Sequence, residues 1–177
     1  MTADPFDTLG LPPSFDLQAA EIGRAYLARV ARMHPDIAAA DDVATRSADL
    51  NQARAVLLDP ELRAVALLAR LGGPTAEQDR SLAQTFLAEM MEVREECEAA
   101  ISSGDPEAVA RWRGWAAARR AEFIAEVSKQ FRAIGAAPGD PGLRELRRTL
   151  NAWRYIERMI QQLDEPDRRP GENGTDR

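Results

Sequence analysis

The stretch Met33-His34-Pro35-Asp36-Ile37 is a polar break between two helical patterns, and its reading decides the fold. Upstream, Ile22, Tyr26, Val30 and Met33 recur at spacings of four, four and three residues, the apolar stripe of one helix face. Pro35 cannot continue that helix, because its ring removes a donor and drives the preceding residue out of the α region. A helical pattern resumes near Val43 and runs through Leu50, Ala53 and Leu57. The segment therefore reads as helix, exposed His-Pro-Asp loop, helix. His34 is the one histidine of the chain, and it sits on the loop.

Working outward, nearly every periodic segment has the period of a helix, and none alternates convincingly with period two. Phe6 to Leu11 is a short apolar start stopped by Gly10, Pro12 and Pro13, and Asp16 is the expected N-cap of the helix that reaches Met33. Asp59-Pro60 supplies the cap and first position of another helix carrying Leu62, Val65, Leu68 and Leu71, closed by Gly72-Gly73-Pro74. Beyond that boundary come three longer helical patterns. The first runs from about Ala76 to Ser102, with Leu82, Phe86, Met90, Val93 and Cys97 on one stripe. Gly104-Asp105-Pro106 separates it from a second, with Val109, Trp112, Ala116, Phe123, Val127 and Phe131. The Gly135–Pro141 turn leads to a third, with Leu146, Leu150, Trp153, Ile156, Ile160 and Leu163. Short turns between three helices predict an antiparallel bundle. The expected organisation is all-α: residues 1–73 as one unit, 74–164 as a three-helix second unit, and a polar, disordered tail over 165–177.

In this setting the His34-Pro35-Asp36 loop, its flanking helices and Phe6-Asp-Thr-Leu-Gly-Leu11 resemble a J-domain, the co-chaperone module that stimulates DnaK-type ATPases. Leu50 to Leu68 resembles the third and fourth helices of HscB-type J-proteins. Phe86-Leu-Ala-Glu-Met-Met-Glu-Val-Arg-Glu-Glu96 is similar to the start of that family's second domain, and Arg154-Tyr-Ile-Glu-Arg-Met159 to its last helix. The likeness covers residues 4–164 in order. It implies a J-domain that contacts an HscA- or DnaK-type chaperone, and a helical domain that holds an IscU-type iron–sulfur scaffold protein. Against the family pattern, Met33 and Ile37 replace a tyrosine and a lysine beside the tripeptide, and Ala88 and Ala99 replace larger or acidic side chains. Tyr155 stands where phenylalanine is frequent.

The residues themselves suggest two faces. With the Ile22 stripe inward, Arg24 and Arg32 point outward and Arg29 lies on a flank. Such a positive strip suits an acidic partner surface or is an ordinary solvated face; the resemblance assigns Arg24, Arg29 and Arg32, with His34, Pro35 and Asp36, to the chaperone. Arg63 fits a structural clasp or a partner contact. In the second unit Leu87 and Met91 form an apolar i, i+4 pair beside the core stripe, continued by Glu95, flanked by Glu92 and completed by Tyr155. That is the composition of a partner site, or of a broad core in which the apolar members are buried. The resemblance assigns Leu87, Met91, Glu92, Glu95 and Tyr155 to the scaffold. Cys97 falls on the core stripe, where packing rather than reactivity is expected.

Composition narrows the function classes. A net charge of −6 provides no basic field for nucleic acid. No apolar run approaches the roughly 18–20 residues that span a bilayer, and no secretory signal is visible, so a cytoplasmic location is expected. One histidine and one cysteine on separate segments make no nucleophile–base set or zinc site, and no phosphate-cradling glycine loop is present. No cofactor and no enzymatic activity are expected. The remaining rival is a general J-domain co-chaperone delivering other clients, which usually carries glycine-rich or cysteine-rich modules not seen here.

Overall fold

Seven helices and no strand occur among the described residues, 3–32, 40–134 and 140–164, of this computed structural model. Local chemistry explains most boundaries. Asp4 caps α1 (Pro5–Leu9), accepting from the backbone amides of Phe6 and Asp7 at 2.8 and 3.3 Å. Gly10, at φ 69°, ends α1 in the left-handed conformation that a β-carbon disfavours. The next two helices, α2 (Ala19–Val30) and α3 (Ala40–Leu58), form the predicted hairpin. Tyr26 ties them together, donating its hydroxyl to Asn51 at 2.8 Å beneath the guanidinium of Arg54. Asp59 accepts from Leu62 N at 3.0 Å to open α4 (Pro60–Arg70). The long helices are α5 (Gln84–Ser103), α6 (Pro106–Ala133) and α7 (Pro141–Asp164).

Three expectations are corrected. Asp16 does not cap α2; Glu21 reaches back to the backbone N–H of Gln18 at 2.8 Å instead. Asp16 crosses to α6, accepting from the Ser128 hydroxyl at 2.6 Å and from Arg132 at 2.9 and 3.0 Å. Val30 belongs to the stripe expected to face inward but is 41% exposed. Each step of four residues rotates 40° past a full turn, so by Val30 the stripe has walked off the core face. Finally, α5 begins at Gln84 rather than near Ala76. Thr75 and Gln78 exchange side chain–backbone bonds, and Asp79 accepts from both the N–H and hydroxyl of Ser81. These local bonds offer the backbone an alternative to helix, and Leu82 packs on the core from outside any helix.

Two apolar clusters result. The first gathers Phe6, Leu9, Ile22, Leu57 and Leu68 from the N-terminal helices and Phe15 from the α1–α2 connection with Val127 of α6 and Leu143, Leu146, Leu150 and Trp153 of α7. The second lies within the three-helix bundle, around Phe86, Met90, Cys97, Ala116, Ile156, Met159 and Leu163. Helix α7 thus serves both, its N-terminal half packing on α4 and its C-terminal half on α5 and α6. Polar contacts follow the same seam. Arg154 approaches Glu61 to 3.8 Å, and burial pushes the Glu61 carboxyl above its usual range. Arg147, 1% exposed, donates to Asn151 at 3.0 Å.

Candidate functional site

The first candidate face is the outer side of α2. Arg24 is exposed on α2, and Arg32 is exposed in the turn just beyond its end. Arg29 is half-buried, its guanidinium lying against Gly10, where an added β-carbon would collide with Nη2. Arg29 and Arg32 share a hollow with Thr8, Asp49 and Arg46, whereas Arg24 lies on another side of the helix. Arg46 escaped the sequence reading because it belongs to α3, across the loop. Leu27, which no periodic stripe picks out, is 65% exposed and forms an apolar surface with Val30 on this helix. Met33, His34, Pro35 and Asp36 lie outside the described residues, as does the tail from 165. Arg63 proves structural: it is buried, donates to Leu57 O at 2.6 Å and covers the Phe15 ring at 5.3 Å.

The second candidate face is on α5 and α7. Phe86 and Met90 turn into the core, while Leu87 and Met91 are 43% and 69% exposed. The alternative of a broad core that swallows this pair is thereby removed. Tyr155, half-buried on α7, meets Phe86 edge-on with ring centroids 5.9 Å apart. Leu87 and Met91 lie on the same flank of α5 as Arg94 and Glu98, which line a groove with Tyr155. Glu95 is exposed one turn beyond Met91. Glu92 is exposed too, but its register places it about 100° round the helix from Met91, away from Tyr155. Four of the five expected residues therefore share one surface. Cys97 is buried with Sγ 3.7 Å from Met159 Sδ, and burial pushes its thiol up to about 11. At neutral pH it is protonated packing, not a nucleophile.

Comparison with known proteins converges on one family. Residues 82–164 match the family model described as the HSCB C-terminal oligomerisation domain. A co-chaperone protein HscB homolog of Vibrio cholerae is 30% identical over 166 residues, covering 89% of this chain and 97% of the relative. This chain is a member of the HscB co-chaperone family. A Bordetella pertussis HscB homolog is 29% identical over 167 residues, 90% of this chain and 94% of its own length. The fold agrees with that of human co-chaperone protein HscB, at TM-score 0.76 and 22% identity over 92% of this chain and 81% of the human one. Chaperone HscB from Vibrio cholerae superposes at TM-score 0.72 and 24% identity, covering 92% and 96% respectively. Among the described residues of this HscB-family chain, no helix is long and apolar enough to cross a membrane.

Proposed function

We propose that this HscB-family protein is a non-enzymatic co-chaperone of iron–sulfur cluster assembly, with a separate face for each of two partners. The unit formed by residues 1–73 engages an HscA- or DnaK-type ATPase through His34, Pro35 and Asp36 together with Arg24, Arg29 and Arg32. The exposed Leu27–Val30 surface beside those arginines supports a protein contact there, since large apolar groups on an outer helix face lose water contact favourably when covered. The unit formed by residues 74–164 holds an IscU-type scaffold protein on Leu87, Met91, Glu95 and Tyr155, with Glu92 contributing charge from the next row of α5. The observation that carries this reading is the exposure of Leu87 and Met91 on a helix whose core obligations are already met by Phe86, Met90 and Cys97. One molecule gripping both partners raises their effective concentration for each other.

The test has two arms. His34→Gln is expected to abolish stimulation of the chaperone ATPase while calorimetric binding to the scaffold persists. Leu87→Ala/Met91→Ala/Tyr155→Ala is expected to do the reverse, each truncated anchor costing roughly 1–2 kcal/mol of binding. Stimulation that survives in the His34 variant would remove the loop from the chaperone contact. Scaffold binding unchanged in the triple variant would move that site elsewhere.

A further inference from the structure

Tyr155 stands as a ridge between two hollows, and arginines line both. The hollow between α5 and α7 includes Arg94, Glu98 and Arg158. The other, between residues 76–82 and α7, has a volume of about 360 Å³ and includes Arg80, Arg154 and, again, Arg158. Arg94 is engaged by Glu98 at 2.7 Å and Arg154 loosely by Glu61 at 3.8 Å. Arg80 and Arg158 have no hydrogen-bond or ion-pair partner among the described residues. Arg80 is nonetheless held in place. Asn151 donates to the backbone carbonyls of Asp79 and Ser81 at 3.0 and 3.1 Å, fixing the residues on either side of Arg80 against α7. In a chain of net charge −6, two uncompensated guanidiniums around Tyr155 are a local reversal of sign.

We infer that this reversal is a second half of the client site: it receives an Asp/Glu-rich segment of the client, laid across Tyr155 from the Leu87–Met91 pair into the Arg80–Arg158 hollow. Charge complementarity selects the occupant, since a carboxylate brought to either arginine gains a partner without displacing an existing one. The α5 edge of the same surface is acidic at Glu95 and Glu98, so the face is bipolar. A client with the opposite arrangement of charge docks in one direction only. The inference rests on the client-binding reading above and adds to it the chemistry of the bound segment.

Two measurements on the full chain separate the two ideas. In the first, a fluorescein-labelled octapeptide of alternating Asp and Glu is titrated at low salt and followed by anisotropy. Binding is expected for the parent and for Arg80→Lys/Arg158→Lys, and a loss of about tenfold or more for Arg80→Glu/Arg158→Glu. Arg111→Glu, exposed on α6 and outside both proposed faces, is expected to leave it unchanged. In the second, calorimetry with the scaffold protein is expected to show about tenfold weaker binding and a flatter salt dependence for the same charge reversal. Leu87→Ala/Met91→Ala is expected to weaken scaffold binding with the salt dependence preserved. Absent peptide binding, or equal binding by the charge-reversed protein, overturns the inference. So does self-association in sedimentation that the charge reversal abolishes, because the occupant would then be a second copy. A scaffold that never binds the parent, with the peptide result intact, instead sinks the client's identity and leaves the acidic-segment site standing.

Discussion

At the scale of single residues, Asp16 shows what a local reading misses. As a sequence feature it is a helix cap; in the fold it accepts from Ser128 and Arg132, more than a hundred positions away. No spacing rule links such partners, so only the folded chain displays the pair. The Ser128 hydroxyl, opposed in part by burial and aided by Arg132, holds the Asp16 carboxyl below its ordinary value of 3.8. A folded-state pKa below the unfolded one contributes stability that is complete above the ordinary carboxylate range and disappears as pH falls through the folded value. Asp16→Asn is therefore expected to lower stability by about 0.5–1 kcal/mol at pH 7, discounted for the exposure of both partners, and to flatten the acid limb below about pH 4. Urea melts at pH 7 and pH 3 give the comparison. Identical acid sensitivity in the two proteins would show that the pair contributes nothing.

At the scale of elements, legibility tracked how local the signal was. Proline and glycine punctuation located the start of α4 and the break between α5 and α6 to within a residue, because Asp59-Pro60 and Asp105-Pro106 carry their own capping chemistry. Residues 76–83 carry a helical pattern yet are not helix, because Thr75, Gln78, Asp79 and Ser81 bond among themselves in a way that apolar periodicity does not register. The stripe on α7 was read correctly, yet its division between two cores was invisible, since one continuous face looks the same whether it meets one neighbour or several. Leu150 lies on the half that meets the N-terminal helices and is fully buried. Leu150→Ala is expected to cost about 2–4 kcal/mol through lost burial and a residual cavity. Thermal melts should show that loss in the α2–α3 hairpin as well as in α7, with hydrogen exchange resolving the two. Protection lost only within α5–α7 would mean that the cores are energetically separate.

At the scale of the whole molecule, the all-helical class was legible because it is a statement of periodicity, whereas the seam between the halves was not. The first core draws Val127, Leu143, Leu146, Leu150 and Trp153 from beyond residue 73. A fragment of residues 1–73 would leave the apolar surface that meets them open to water, so it is expected to melt well below the intact chain by circular dichroism. An equal melting temperature would mean that those contacts add no stability. The 24-residue α7 is a rod about 36 Å long, packed at one end on α4 and at the other on α5, the helix that carries the proposed client face. A flexible leash accepts any pair of cargoes within reach; a rod behaves as a ruler. Joint capture then falls steeply when two bound proteins present their sites at the wrong separation, however well each binds alone. For the two-partner function proposed above, fit of span thus becomes a filter on which client reaches which ATPase, set by the skeleton of the protein rather than by any residue that touches either partner.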